Sequence, residues 1–191
     1  KVRKARAEAV GYIHKTNLYI KVPRSKASQL GAKIIPVRRV DINKWDAVLD
    51  NYRSRWVATE IKKVDRPELF AATPPLDAPN AIISMCTSGN KCEKTMVHAV
   101  GRAYFSPPAR RQASVELPRG DNVKEKNIVG KLSFSVHGAR DAAQNSGEEC
   151  ASTMEQTWFR RGKASQCTFG HPTRWLRCYI HGDDFVAVGV D

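Results

Sequence analysis

No stretch of this chain is apolar for long enough to cross a bilayer. No acylation signal is present, and no segment carries the strong Trp/Leu face of a membrane-lying helix. These absences set aside a membrane role. Cysteine is sparse and poorly spaced: Cys86, Cys92, Cys150, Cys167 and Cys178 are odd in number and fall in no C-x-x-C or His/Cys pattern. A disulfide framework and a zinc site are therefore not indicated, and reduced thiols of an intracellular protein are expected. There is no internal repeat and no low-complexity tract. Lys/Arg-Gly-Phe RNP and GXXG signatures are also missing, which argues against the common RNA-binding modules. Charged residues occupy the N-terminal stretch where a secretory leader needs an apolar one. The first residue is Lys1 rather than Met, and Asp191 directly follows an expected strand, so the chain reads as an excerpt of a longer protein.

Acidic residues are also few, with 19 Asp/Glu against 32 Lys/Arg and a net charge of +13. The excess is local: residues 1–40 hold eleven Lys/Arg and one acid, Glu8, which leaves +10 of the +13 there. Such a block reads as a surface for a polyanion, with nucleic acid favoured over anionic membrane. At 191 residues and 41% hydrophobic content the chain has material for a real core, in one large domain or two small lobes.

Periodicity predicts a short helix over 2–13, with Ala5, Ala9, Tyr12 and Ile13 on one side, and strands over 18–22 and 34–42. Between those strands a Pro-Arg-Ser-Lys segment can open a further helix. A turn-rich connection over 41–51 leads to a strand over 51–58. Leu69 to Leu76 is an apolar, Pro-containing segment, 77–89 a helix closed by Gly89, and 96–100 a short strand. Further strands are expected over 115–118, 128–136, 175–180 and 185–190, with a charged loop over 119–127. Gly138 opens the longest helix, 139–158, whose apolar stripe (Ala139, Ala142, Ala143, Cys150, Met154, Trp158) is interrupted at Ser146 and Gly147. Strands and helices without regular βα alternation indicate an α+β fold.

Two stretches carry candidate chemistry. Gly182-Asp183-Asp184 lies between two apolar strands, where adjacent carboxylates concentrate negative charge suited to a hard cation; the same tripeptide also makes an ordinary solvated turn. Arg53 and Arg55 share one strand face because side chains alternate with period two. Two guanidiniums on one face suit phosphate oxygens, and they equally suit an exposed strand edge guarded by charge.

Seven segments occur in order: Arg53-Ser-Arg55-Trp-Val-Ala, Phe70-Ala-Ala-Thr-Pro-Pro-Leu76, Arg102-Ala-Tyr104-Phe, Val115-Glu-Leu-Pro118, Gly138-Ala-Arg140-Asp-Ala-Ala-Gln144-Asn145, Lys163-Ala-Ser-Gln-Cys-Thr-Phe-Gly-His-Pro172 and His181-Gly-Asp-Asp-Phe185. Together they resemble the reverse transcriptase of copia-type LTR retrotransposons over nearly the whole chain. The resemblance implies the fingers and palm of a right-hand polymerase within a Pol polyprotein, with an antiparallel palm sheet backed by helices. Residues 1–33 are then a basic lead-in, 34–95 fingers-like and 96–191 palm-like, with thumb and ribonuclease H not included.

What the resemblance implies for chemistry is a divalent-metal nucleotidyltransferase, in which a primer 3′-hydroxyl attacks an incoming dNTP. Asp183 and Asp184 match the metal-binding pair for Mg2+ or Mn2+, with Asp183 the ligand and Asp184 the less essential neighbour. Arg53 and Arg55 match the triphosphate-gripping site. Tyr104 matches the aromatic beneath the incoming sugar, although from its sequence alone it is equally a core aromatic. Gly138, Arg140, Gln144 and Asn145 match the helix beneath template and nucleotide. Expected partners are an RNA or DNA template-primer, dNTPs and the remaining Pol segments (thumb, ribonuclease H, integrase), in a cytoplasmic particle or the nucleus and with no membrane.

Four positions depart from the family. Ala99 stands where the first catalytic Asp belongs, Ser146 follows Asn145 where a Trp is usual, and Trp45 and Trp56 replace a Gly and a Leu. Asp121 and Asp141 lie in the wrong segments to substitute for Ala99. The expectation is a degenerate polymerase copy with impaired catalysis; the alternative is a non-catalytic basic remnant that binds nucleic acid.

Overall fold

Most of the expected elements recur in a computed structural model of the chain, which describes residues 1–44, 51–61, 69, 71, 73, 75–88, 93–121 and 127–190. Trp45, the closing Gly89, Cys92, Asp191 and alternate residues of the 69–76 segment lie outside that description. The described elements mix helices with antiparallel and parallel strand pairs, an α+β architecture. They form two units whose chain segments alternate: residues 1–65 with 105–142, and 66–104 with 143–191. The palm-like range 96–191 is thus divided between them. No helix among the described residues is long and apolar enough to cross a membrane.

The first unit begins with α1 (Val2–Lys15), which buries Ala5 and Ile13. Thr16 Oγ1 ends the helix by donating to the Tyr12 carbonyl at 2.9 Å, with basic His14 and Lys15 in the last turn, where the helix dipole favours cations. β1 (Tyr19–Pro23) follows, then α2 (Arg24–Gln29), for which Pro23 presets the entry. The expected 34–42 strand is broken into β2 (Lys33–Ile35) and β3 (Val37–Asn43). Pro36 between them has no N–H for a ladder, and its carbonyl instead accepts the Thr59 N–H at 2.8 Å. β3 pairs antiparallel with β4 (Tyr52–Ala58) as a two-stranded ribbon.

β2 pairs in parallel with β6 (Ala113–Val115), which pairs antiparallel with β7 (Ile128–Leu132) and through it with β1; β5 (Glu93–Ala99) belongs to the second unit. β7 stops four residues short of the expected Val136 because its backbone donors turn elsewhere. Ser133 and Phe134 both donate to the Leu18 carbonyl, and Ser135 donates to that of Pro107. Ile13, Leu18, Ile35, Trp56, Phe105, Val115 and Val136 close the core.

The second unit is an antiparallel sheet of β5 (Glu93–Ala99), β11 (Asp184–Val190), β10 (Leu176–His181), β9 (Thr168–Gly170) and β8 (Arg160–Arg161), in that spatial order. α3 (Asp77–Ser88) covers one face through Ile82, Ala78 and Cys86 against Tyr179, Val186 and Val188. α4 (Ala142–Gln156) covers the other through Cys150, Ala151 and Met154 against Phe169, Cys178, Ile180, Phe185 and Ala187. The alternate residues of β10 and β11 divide between the two helices as strand pleating requires. α4 starts at Ala142 rather than Ala139. Gly138 has a φ of +83°, and the Ala139 and Ala142 N–H groups first make turn bonds to Val136 and Ala139.

Candidate active site

Apolar strands on either side of Gly182-Asp183 form the expected hairpin. β10 and β11 pair from Leu176↔Gly189 to His181↔Asp184, leaving a two-residue loop of Gly182 and Asp183. Gly182 has a φ of +63°, the positive value that a tight hairpin turn demands at its first loop residue. β11 pairs on its other side with β5, and the register sets Asp184 directly opposite Ala99. The Val100 N–H donates to the Asp183 carbonyl at 2.7 Å, extending the ladder to the loop. Cross-strand partners project to the same side, so Asp184 and the Ala99 methyl share a face. Asp183 sits in the turn, where strand alternation does not fix its direction. Tyr104 completes the cluster: a Cβ at Gly182 would lie 3.5 Å from its hydroxyl.

A cavity of about 390 Å³, whose described lining residues all belong to the second unit, opens beside this hairpin. Asp183, Asp184, Tyr104 and Gln144 line it, and Ser146 and Gly147 line it too. The gap read in the helix's apolar stripe is therefore where α4 faces open space; a Cβ at Gly147 would meet nothing within 4 Å. The sequence reading missed two charged lining residues. Glu148 accepts a hydrogen bond from Gln144 Nε2 at 3.1 Å, and Arg161 donates through Nε to the Gln166 carbonyl at 2.8 Å. Their signals, a Gln/Glu pair four apart on a helix and a short Arg-Arg segment, are common in solvated surfaces.

The donor set fits a divalent cation only in part. Asp183 and Asp184 are exposed hard-oxygen ligands, but position 99 offers a methyl group, and no group of three or more His, Cys, Asp or Glu side chains placed to hold a metal occurs among the described residues. Two adjacent carboxylates from one hairpin do not make a site that needs ligands from two strands.

The remaining expected site residues belong to the first unit or are buried. Asn145 is 2% exposed and lies inside the fold. Gly138 supports a close backbone approach, since a Cβ there would overlap the Ala58 carbonyl oxygen. The Arg140 N–H donates to Glu60 Oε2 at 3.0 Å. Glu60 is the centre of a part-buried network. Arg111 grips both its oxygens while also meeting Asp141 at 2.9 Å, and Lys33 Nζ reaches it at 3.0 Å. Burial pushes the Glu60 carboxyl up, but the bonds from Arg111, the Arg140 N–H and Lys33 outweigh it and hold the pKa at about 2. Asp121 is likewise engaged, by Lys21 at 2.6 Å, Tyr19 at 2.5 Å and His14 at 3.1 Å. Asp141 and Asp121 both belong to the first unit, and Ala99 to the second.

Arg53 and Arg55 project from the exposed face of β4. Their partners in register are Ile42 and Val40, and Arg38 on β3, opposite Val57, joins the same face. None of the three has a salt bridge to a described residue. No protein-family model matches the chain, and no curated protein matches it either.

Proposed function

We propose that this chain is the fingers-and-palm portion of a copia-type reverse transcriptase in a Pol polyprotein, a degenerate copy whose polymerase chemistry is impaired at Ala99. The observation that carries the reading is the β5–β11 register. Residues of two separate motifs, Ala99 with Tyr104 and Asp183 with Asp184, meet at one hairpin tip. An unrelated chain with a Gly-Asp-Asp turn has no reason to put the matching Arg-Ala-Tyr-Phe segment beside it.

In this reading Asp183 and Asp184 alone hold Mg2+, weakly and off position. Gln144 and Tyr104 border the space for nucleotide, and Arg53 and Arg55 offer phosphate contacts. The retained function is sequence-independent binding of a template-primer in an intracellular particle. That part is favoured by the exposed Arg38/Arg53/Arg55 face and by the charge excess in residues 1–40. Primer extension with dNTPs and Mg2+ tests it: the unmodified chain should bind primer-template and extend it negligibly. Efficient extension that Asp183→Asn leaves intact would sink the reading.

A further inference from the structure

The first unit holds a second cavity, of about 410 Å³, bordered by the β3–β4 ribbon and lined by neither Arg53 nor Arg55. Its wall includes Trp56, which alternates along β4 with those two arginines and so faces the other way. Arg39 lies opposite Trp56 in the ribbon and shares its face. Val37, Leu117 and Pro118 add apolar surface, and Arg6, Arg119 and Arg38, the last from the Arg53/Arg55 side of β3, join Arg39 in lining the same space.

The charges are not mutually cancelled. Arg6 is held by Asp41, through Nε at 3.0 Å and Nη2 at 2.6 Å. Glu116, the one acid among the described residues of the wall, is held by Arg24 at 2.7 and 2.8 Å. Arg39 donates through Nη2 to the Arg119 carbonyl at 2.6 Å, which holds its guanidinium at the wall, with the Asp41 carboxylate near enough to feel its charge. Arg39 and Arg119 thus carry no salt bridge to any described residue. A cavity of this size with an apolar floor has the make-up of a small-molecule site rather than of a solvated charged face.

We propose that this cavity binds a phosphate group carried on an apolar body, as in a nucleotide or the phosphorylated end of a strand. A tetrahedral dianion matches planar guanidinium forks, and guanidinium–phosphate bonds are stronger and more directional than those a lysine cluster would make. The floor of Val37, Leu117 and Pro118 receives the carrier. This inference does not rest on the polymerase reading, since none of its residues belongs to the Asp183 hairpin.

The test is calorimetric titration of the full chain with three probes: inorganic phosphate, a nucleoside 5′-monophosphate and a 5′-phosphorylated octanucleotide. The proteins are the unmodified chain, Arg119→Gln, Arg39→Gln/Arg119→Gln and Arg53→Gln/Arg55→Gln. Arg119→Gln keeps the backbone carbonyl that Arg39 uses, so it reads binding without disturbing the wall. The monophosphate should bind saturably, weaken roughly tenfold in Arg119→Gln and further in the double variant, and change less than about threefold in Arg53→Gln/Arg55→Gln. Tight binding of the octanucleotide that requires its 5′-phosphate would name a strand end as the source; equal binding of the free nucleotide would name the nucleotide. The proposal is overturned if none of the three probes binds saturably, or if Arg53→Gln/Arg55→Gln weakens the monophosphate as much as the cavity variants do.

Discussion

Replacing Glu60 with Gln should remove a large, pH-dependent share of the first unit's stability. The Glu60 side chain is 3% exposed, and Arg111, Lys33 and the Arg140 N–H converge on it. Its carboxyl titrates at about 2 when folded and near the ordinary glutamate value when unfolded. A depressed folded pKa stabilises the fold fully above the unfolded value, and that contribution is lost as pH falls through the folded one. The window therefore runs from about pH 4.5 down to about pH 2, and at 1.36 kcal/mol per pH unit the contribution is roughly 3 kcal/mol. Glu60→Gln leaves Arg111 its ion pair with Asp141 and keeps one acceptor oxygen, so the loss at neutral pH is about 1–3 kcal/mol. Urea denaturation at pH 7, 5, 4 and 3 checks both statements. The unmodified chain should lose stability steeply below pH 5, and Glu60→Gln should be less stable at pH 7 with a shallower acid dependence. Parallel pH curves for the two proteins would refute the reasoning, because the carboxylate would then not be the group that titrates.

Gly138→Ala should lower stability by at least about 2 kcal/mol in thermal unfolding, since the new Cβ overlaps the Ala58 carbonyl oxygen at a positive φ; an unchanged Tm would contradict the close approach. Arg53→Gln/Arg55→Gln should weaken primer-template binding and flatten its salt dependence by a log–log slope of about 0.9 for each phosphate that is no longer neutralised; a slope equal to that of the unmodified chain would mean that these side chains do not touch the nucleic acid. Burial, and secondarily the neighbouring Cys150, raises the Cys178 thiol to about 11, so near pH 8 only about one thiol in a thousand is ionised and alkylation should be slow until the chain unfolds. Rapid native-state labelling of Cys178, mapped by mass spectrometry, would show that the thiol is not enclosed between β10 and α4.

The candidate site was the most legible part of the sequence because its signals are local. A Gly-Asp loop between two apolar runs specifies a hairpin, and the Ser146-Gly147 interruption marked where α4 turns away from packing. Less legible were features set by distant partners. Pro36 splits one apparent strand into two that join different sheets. β8 and β9 are too short for alternation to register, and the Glu60–Arg111–Asp141 network links residues far apart in the chain. The two alternating units follow from the pairing of β1 with β7 and β2 with β6, which no local pattern announces. Arg38, placed beside Arg53 and Arg55 only by the β3–β4 register, was missed for the same reason.

The most direct test of the central claim is single-nucleotide primer extension with Mg2+ by the unmodified chain, Ala99→Asp, Asp183→Asn and Ala99→Asp/Asp183→Asn. Losing several kcal/mol of transition-state stabilisation slows a reaction roughly a thousandfold, at 1.36 kcal/mol for each factor of ten. The account predicts negligible extension by the unmodified chain, a measurable gain in Ala99→Asp, and disappearance of that gain when Asp183→Asn is added. Robust Mg2+-dependent extension by the unmodified chain, abolished by Asp183→Asn, would contradict the importance given to position 99.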